Sequence, residues 1–185
     1  IPIGSGLGGG SADAAVTLLA LQRLWGLKVS RSELFSLAVK LGMDVPFFLH
    51  GGTVFATGRG SEMHLERNEL NLPIVLVLPD FSISTSKAYS DLILTKRRPT
   101  LRLDNLMWGS RSVQDALSDL QNHLESAAGE HSAAIEKHKQ LLLDKGALFS
   151  MMSGSGSAVF GVFNDETAAH SAASCLTRSK IRAIA

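Results

Sequence analysis

The sequence contains little cysteine, few aromatic residues and almost no net charge. Cys175 is the single cysteine in 185 residues, which excludes an internal disulfide and a thiolate metal cluster. Aromatic residues make up 6% of the chain and its net charge is +1, so no overall electric field selects nucleic acid or an anionic membrane. No stretch approaches the roughly 20 apolar residues that a membrane span requires. With 45% hydrophobic residues, the composition predicts an ordinary soluble globular protein.

Two further absences concern metal sites and the start of the chain. The six histidines form no H-x-x-x-H pair, so we expect no zinc site and assign no metal ligand. The chain opens on Ile1-Pro2-Ile3 without a methionine, and this apolar tripeptide is typical of the end of a strand. We therefore expect that Ile1 is not the native N-terminus, so the lack of a targeting peptide says little about the compartment.

Glycine, in contrast, is concentrated near the first residue. Five of the seven residues from Gly4 to Gly10 are glycine. Glycine adopts positive φ freely and lets the backbone approach a ligand without a Cβ between them. Ser11 is a suitable N-cap, and the apolar residues after it recur at helical spacing. Because the first amides of a helix lack intrahelical partners, this arrangement predicts a phosphate-binding turn followed by a helix.

Three other glycine motifs fit less well. Gly4 to Gly9 satisfies G-x-G-x-x-G, but a buried strand before it is not visible, and Glu33, the acid at the right distance, lies in a helical pattern. A Walker loop requires a lysine, which Gly10-Ser11-Ala12 lacks. A protein-kinase glycine loop leads into a strand, whereas this loop leads into a helix. A glycine-rich connector without a ligand stays open as an alternative.

Between the glycines and residue 70, the pattern predicts a second helix and a hairpin. Ser30 and Glu33 have the spacing of a capping box, and Gly42 stands where a helix C-cap belongs. Residues 53–57 and 62–65 have strand composition and are joined by a glycine-rich turn. The first 70 residues therefore combine helices with one β-hairpin.

From residue 73 onward, strands and helices alternate. The predicted elements are a strand at 73–78, a helix capped by Ser84 or Thr85, helices at 113–128 and 132–143, strands at 147–152 and 158–163, a helix at 166–176 and a strand at 181–184. This order is that of an α+β split βαβ sandwich. Residues 95–112 show little pattern, and Lys96-Arg97-Arg98 within them favours a solvated loop over a nucleic-acid contact. We predict two domains, residues 1–70 and 71–185.

Asp44 and a second glycine loop are further candidates for a site. Asp44 follows the C-cap position of a helix and is held by Val45-Pro46, so its carboxylate is suited to accept a proton from an attacking hydroxyl. The local sequence by itself favours a turn or cap role for Asp44. The loop Ser153-Gly154-Ser155-Gly156-Ser157 lies between two predicted strands and permits close approach of a ligand, or it is a flexible hairpin tip.

Three segments together resemble the GHMP family of small-molecule kinases. They are Pro2-x-Gly4-x-Gly6-Leu7-Gly8-Gly9-Gly10-Ser11-x-Asp13-Ala14-Ala15, Gly42-x-Asp44-Val45-Pro46-Phe47-Phe48 and Met152-Ser153-Gly154-Ser155-Gly156-Ser157. Within that family, the triple glycine resembles the branch that phosphorylates 4-diphosphocytidyl-2-C-methyl-D-erythritol. Asn122-x-Leu124-Glu125 also resembles a segment of this branch.

The resemblance implies a fold and an activity. The α+β GHMP kinase fold implies part of an N-terminal ribosomal-protein-S5-like domain and a C-terminal ferredoxin-like α/β sandwich. The implied reaction is ATP-dependent phosphorylation of the 2-hydroxyl of 4-diphosphocytidyl-2-C-methyl-D-erythritol, giving the 2-phosphate and ADP, in non-mevalonate (MEP) isoprenoid and terpenoid precursor biosynthesis. The partner is then this small molecule, with no nucleic acid and no membrane. The compartment is the cytoplasm of a bacterium or the plastid stroma of a plant.

The resemblance also implies roles for particular residues. Asp44 is the implied catalytic base, and Mg²⁺ arrives with ATP, bridging phosphate oxygens. The implied substrate-binding residues are Thr85, Gly154, Ser155 and Gly156. The implied ATP-binding residues are Pro2, Ile3, Gly4, Ser5, Gly6, Leu7, Gly8, Gly9, Gly10, Ser11 and Ala12.

The chain departs from the family pattern in two places. Ala12 replaces a serine that is usual in this branch, which removes one hydroxyl from the implied phosphate site. The family's first motif, which carries a lysine that partners the aspartate and residues that stack the cytosine, is not found in the sequence. We therefore expect the 185 residues alone to bind nucleotide poorly and to be inactive. Two alternatives stay open: another GHMP small-molecule kinase, or a non-catalytic nucleotide-binding module.

Overall fold

A computed structural model describes residues 1–58, 60, 62–66, 71–92 and 117–185. The chain forms two compact units, one of residues 8–70 and one that combines residues 1–7 with residues 71–185. The domain boundaries expected from the sequence, 1–70 and 71–185, stay a prediction. The prediction for Lys96-Arg97-Arg98, and that for the helix before residue 117, fall outside the described residues.

The unit of residues 8–70 consists of three helices and a hairpin. Its elements are α1 (Gly9–Leu24), α2 (Arg31–Leu41), α3 (Val45–His50), β1 (Thr53–Thr57) and β2 (Glu62–Glu66). β1 and β2 pair antiparallel, with Phe55 opposite His64, as the sequence predicted. α1 packs against both α2 and α3. A small core of Ala15, Ala38 and Val45 joins the three helices.

The start of α1 corrects one prediction. The N-cap is Gly8, in the left-handed region at φ 66°, and the helix begins at Gly9, so the prediction that Ser11 caps it is wrong. Left-handed backbone is open to glycine without the Cβ strain that other residues suffer. Gly8 therefore turns the chain directly into the helix, three residues before the expected cap.

α2 and α3 follow from local sequence. The capping box of α2 is confirmed, because the Ser30 amide donates to Glu33 Oε2 at 2.8 Å and Ser30 Oγ accepts from the Glu33 amide at 3.3 Å. Gly42 is the C-cap of α2, as predicted. Pro46 occupies the first turn of α3, where its missing N–H costs no intrahelical bond. The proline therefore separates two helices and starts the second.

The other unit contains a four-stranded antiparallel sheet with helices. Its elements are β3 (Ile74–Val77), α4 (Thr85–Asp91), the 3₁₀ helices His123–Ala127 and Gly129–His131, α5 (Ser132–Asp144), β4 (Phe149–Met152), β5 (Val159–Val162), α6 (Glu166–Arg178) and β6 (Ala183–Ile184). The strand order is β4-β5-β3-β6, with every pair antiparallel. This order and connectivity confirm the predicted α+β split βαβ sandwich. α5 packs on β4 and β5, and α6 on β3 and β6, over a core that includes Val75, Leu142 and Phe163.

Two sequence predictions in this unit are wrong. Ile1-Pro2-Ile3 was expected to end a strand, but Ile3 and Gly4 lie in a turn and the described residues 1–3 form no strand. A helix was expected over 113–128, but of the described residues 117–128 only Leu117 and Ser118 are α-helical, and a 3₁₀ helix follows at His123–Ala127, so the predicted helix is too long. Asn122 Oδ1 accepts from the Leu124 amide at 3.0 Å. Such a local bond competes with the helical backbone pattern and restarts the chain as a 3₁₀ turn.

Candidate active site

The N-terminus of α1 presents backbone amides. Its first intrahelical bond runs from the Ala12 amide to the Gly8 carbonyl at 2.9 Å. The amides of Gly9, Gly10 and Ser11 therefore precede the helical ladder, and no side chain of the described residues caps them. The first turn contains no acidic residue among its described positions. Uncapped amides together with the positive end of the helix dipole suit an anion such as a phosphate.

α3, which begins after Asp44, contacts this turn through Phe48. A Cβ built on Gly8 would lie 2.7 Å from Cζ of Phe48, so the Phe48 ring lies directly against the Gly8 backbone. Asp44 stands four residues before Phe48, and residues at this spacing lie on the same side of a helix. Their Cβ atoms are then about 5–6 Å apart. Asp44 therefore lies one helical turn from the residue that contacts Gly8.

The side chain of Asp44 does not cap α3. Asp44 occupies the N-cap position at φ −90° and ψ −12°, which matches the alternative role weighed from the sequence. However, within the described chain its carboxylate makes no cap hydrogen bond, and the residue is exposed. The carboxylate is therefore not engaged with the helix that positions it.

The first part of the glycine loop, residues 1–7, belongs to the other compact unit. Ser5 is 6% exposed, and its Oγ donates to the Pro2 carbonyl at 2.8 Å, so its hydroxyl has a structural partner. The Ser5 carbonyl accepts from the Ala158 amide at 3.0 Å. The Gly6 carbonyl accepts from Ser153 Oγ at 3.0 Å. These bonds attach the first glycine loop to the second one.

The second glycine loop is compact. Gly156 has φ 86°, and a Cβ on it would lie 2.7 Å from Met152 Sδ and 2.8 Å from Ile83 Cδ1. Ser155 is 7% exposed, and its hydroxyl bonds to Thr85 Oγ1 at 2.9 Å. Two of the predicted substrate residues, Thr85 and Ser155, are thus brought together. The loop is braced rather than a free hairpin tip.

An open surface cavity of about 500 Å³ adjoins this loop. Its walls include Tyr89, Asn122, His123, Ser153 and Gly154. Tyr89 is 63% exposed, so its ring is accessible for stacking on a planar group. Sequence reasoning did not assign roles to Tyr89 or Asn122. The Asn122-x-Leu124-Glu125 segment was noted only as a resemblance, and its contacts depend on the tertiary fold.

The described residues contain neither a candidate metal site nor a candidate membrane-spanning helix. Across its described ranges, no three histidine, cysteine, aspartate or glutamate side chains cluster so that they could hold a metal ion. Among the helices that the structure describes, none is both long and apolar enough to cross a membrane.

Two sequence models describe the same family in this chain. The model described as "GHMP kinases N terminal domain" matches residues 1–52, and the model described as "GHMP kinases C terminal" matches residues 103–182. Together they match more than half of the chain. The chain belongs to the GHMP kinase family. The expected GHMP kinase fold class, with mixed helix and strand content, is thereby confirmed.

Relatives of this GHMP kinase chain are similar over most of its length. It is 42% identical to a 4-diphosphocytidyl-2-C-methyl-D-erythritol kinase of Syntrophotalea carbinolica, covering 100% of this chain and 65% of that protein. It is 45% identical to a protein of the same name from Chlorobium phaeobacteroides, covering 89% of this chain and 57% of the other. The chain therefore spans somewhat less than two thirds of these relatives.

Solved structures agree with this family assignment. The crystal structure of a 4-(cytidine 5'-diphospho)-2C-methyl-D-erythritol kinase matches with a TM-score of 0.80 and 35% identity, covering 100% of this chain and 66% of that one. A homoserine kinase from Cytophaga hutchinsonii matches with a TM-score of 0.75 and 22% identity, covering 100% of this chain and 65% of that one, a likeness of fold alone.

Proposed function

We propose that the protein transfers a phosphoryl group from ATP to the 2-hydroxyl of 4-diphosphocytidyl-2-C-methyl-D-erythritol, giving the 2-phosphate and ADP. This is a step of non-mevalonate isoprenoid precursor synthesis. Relatives that carry the name of this kinase support the proposal over nearly the whole chain. The observation that carries it is the position of Asp44. Its carboxylate makes no cap bond, and it lies one helical turn from Phe48, which contacts Gly8.

The residues at the start of α1 fit the phosphates of a nucleotide. Three uncapped amides offer N–H donors, and a Cβ on Gly10 would meet no heavy atom of the described residues within 4 Å. The backbone at Gly10 is therefore open to close approach. When bound, ATP with Mg²⁺ supplies the γ-phosphoryl group. The amides of Gly9, Gly10 and Ser11 hold phosphate oxygens in place of the lysine of a Walker loop.

Asp44 acts as the general base in this mechanism. Its carboxylate accepts the proton of the 2-hydroxyl as that oxygen attacks, which raises the nucleophilicity of the oxygen. Because the carboxylate does not bond the α3 amides, the proton can be accepted without breaking a cap. Such a base contributes about 10²–10⁴-fold to the rate.

The second glycine loop and its cavity hold the phosphate-accepting substrate. Thr85, Gly154, Ser155 and Gly156 form the substrate side, and the exposed ring of Tyr89 offers a stacking surface on the cavity wall. Ala12 supplies no hydroxyl and its amide donates to the Gly8 carbonyl, so phosphate binding relies on the amides of Gly9, Gly10 and Ser11. Because the sequence contains no match to the family's lysine motif, we expect residues 1–185 alone to bind nucleotide poorly and not to turn over.

Replacing Asp44 in the full-length protein tests this function. Asp44→Asn keeps the size of the side chain but removes the base, so we expect kcat to fall by about 10²–10⁴-fold with ATP binding unchanged. Phosphorylation of the cytidyl-methylerythritol compound is measured as the release of ADP. ATP binding is measured by calorimetry. Unchanged turnover in Asp44→Asn would remove Asp44 as the base.

A matched control separates loss of the base from loss of charge. Asp144→Asn removes an exposed carboxylate from α5 whose Oδ1 accepts from Gln140, a bond that asparagine can keep. We expect this variant to retain wild-type turnover. Wild-type turnover of a different alcohol, with indifference to the cytidyl compound, would favour another GHMP kinase. ATP binding without turnover of any alcohol would favour a binding module.

A further inference from the structure

Two side chains near the 3₁₀ helix hold the end of β4. Asn122 Nδ2 donates to the Met152 carbonyl at 2.9 Å and to the Gly154 carbonyl at 2.7 Å. Glu125 Oε1 accepts from the Met152 amide at 2.8 Å. Both backbone polar groups of Met152, together with the first glycine of the loop, are therefore bound by residues about 30 positions earlier in the chain.

Lys139 on α5 fixes Glu125 in turn. Lys139 Nζ lies 2.8 Å from Glu125 Oε2 and 3.0 Å from Glu136 Oε2. The side chains of Lys139 and Glu125 are 18% and 24% exposed, whereas that of Glu136 is 68% exposed. Burial tends to lower the pKa of Lys139, but the hydrogen bonds and charges of Glu125 and Glu136 outweigh burial and raise that pKa. Lys139 is therefore a permanent cation that orients the Glu125 carboxylate.

This pair is more than a surface ion pair. Withdrawing two charges from water costs free energy that is recovered only when good geometry and further hydrogen bonds are present. Glu125 meets that condition, because one oxygen binds Lys139 and the other binds the Met152 amide. A charged acceptor also makes a stronger bond to an amide than a neutral one.

The braced loop begins directly after Met152. Met152 is fully buried, and the next residue, Ser153, donates to the Gly6 carbonyl. Ser155 bonds Thr85, and Ser157 Oγ donates to the Phe81 carbonyl. The course of the loop from Ser153 to Ser157 therefore depends on where the end of β4 is held.

We propose that Glu125, oriented by Lys139 and assisted by Asn122, is a positioning residue that sets the second glycine loop for the phosphate-accepting substrate. This inference rests on the proposed function, since the substrate is the one assigned to this loop. Its mechanical part, which does not depend on the substrate, is that these side chains fix the positions of Met152 and Gly154.

The test compares three glutamate variants in the full-length protein. We expect Glu125→Ala to raise KM for the phosphate-accepting substrate about tenfold, as expected for loss of a bond to a charged acceptor, while KM for ATP changes less than about twofold. Glu125→Gln keeps an oxygen for the Met152 amide but loses the charge, so we expect a smaller rise. If Glu125→Ala does not fold, Glu125→Gln still measures the effect.

Glu136→Gln is the matched control. Glu136 bonds the same lysine but does not reach Met152, so we expect both KM values to stay at the wild-type level. A lower Tm in the Glu125 variants with an unchanged substrate KM would reduce the pair to a structural brace. An equal rise in both KM values would also overturn the proposal.

Hydrogen exchange separates this proposal from the proposed function. We expect the amides of residues 152–156 to exchange faster in Glu125→Ala than in wild type, whatever the enzyme phosphorylates. If wild-type protein fails to phosphorylate the cytidyl compound, the proposed function is wrong, and faster exchange at these amides would still support the mechanical part. Unchanged exchange at these amides would overturn the positioning role itself.

Discussion

The two glycine loops have similar compositions and different hydrogen bonding. At the start of α1, the amides of Gly9 to Ser11 are left uncapped by the described residues. In the second loop, the hydroxyls of Ser153, Ser155 and Ser157 all have partners in the same compact unit. The comparison shows that three amides at the start of α1 have no partner among the described residues, whereas the three hydroxyls of the second loop hold its shape.

This difference also separates the effects expected from substitution. Changes at the uncapped amides should affect ligand binding with little loss of stability, because the groups there bond nothing else in the described chain. Changes in the braced loop should lower stability, because its polar groups and glycines are in contact with neighbours. Substitutions at Gly6 and Gly10 test this separation.

The largest effect on stability is expected at Gly6, where the first loop meets the second. Gly6 has φ 74°, and a Cβ there would lie 2.0 Å from the Ser153 carbonyl oxygen. Gly6→Ala therefore adds a left-handed strain of about 1–2 kcal/mol and a steric cost of about 1–3 kcal/mol. We expect the free energy of unfolding to fall by the sum, measured by chemical denaturation.

Gly129→Ala is the control for Gly6. Gly129 has φ 58°, but a Cβ there would meet no heavy atom of the described residues within 4 Å. We expect a loss of only about 1–2 kcal/mol, from the left-handed strain alone. Equal losses in the two variants would contradict the contact between the loops.

Gly10→Ala tests the uncapped amides at the start of α1. Gly10 lies in the first turn of α1 with space around its Cα, so alanine should raise the free energy of unfolding by about 0.5–1 kcal/mol. The added methyl group hinders approach of a phosphate, and we expect ATP affinity to fall about tenfold, or about 1.4 kcal/mol. Denaturation and calorimetry measure the two quantities.

Thr17→Ala is the matched control, since Thr17 is an exposed residue of the same helix beyond its first turn. We expect it to raise stability by a similar helix-propensity gain without changing ATP affinity. Unchanged ATP affinity in Gly10→Ala as well would mean that these amides do not bind the phosphates.

The smallest effect concerns α5, the helix that supports the braced loop through Lys139. Burial, with a smaller contribution from the charge of Lys137, lowers the pKa of His138 below its ordinary value of 6.5. As pH falls, the unfolded chain therefore binds a proton at His138 before the folded chain does. The free energy of unfolding is unaffected by His138 above pH 6.5 and decreases as the pH falls below that value. We expect His138→Gln to reduce the loss of Tm between pH 7.5 and pH 5.5. An unchanged loss of Tm would contradict this assignment.

Predictions from local sequence were the most successful. The Ser30–Glu33 capping box and the Ser84 cap of α4 join residues three apart, and both are confirmed. The split βαβ order followed from hydrophobic runs of strand length and from helical spacing. The start of α1 was misplaced because the left-handed conformation of Gly8 replaces a side-chain cap. The helix over 113–128 was predicted too long in its described part, since only Leu117 and Ser118 are α-helical and Asn122 then bonds the backbone locally.

The contacts that build the candidate site could not be predicted from local sequence patterns. Asn122 and Met152 are 30 residues apart, and Thr85 and Ser155 are 70 apart. No periodicity connects such positions, since only the packing of α5 and the order of the strands bring them together. Asp44 was predicted as a site residue from its residue type and its proline neighbour and stays a prediction, whereas its lack of a cap bond could be seen only in the structure.

The hydrogen bond between Ser153 and Gly6 has a consequence for synthesis on the ribosome. The two residues are 147 positions apart, and the entire unit of residues 8–70 is inserted between the segments that they join. At about 5–20 residues per second, the first seven residues would wait about 7–30 s for their partners to emerge. The segment of residues 8–70 can complete its folding in that interval, whereas the bond between Ser153 and Gly6 can form only after Ser153 has emerged.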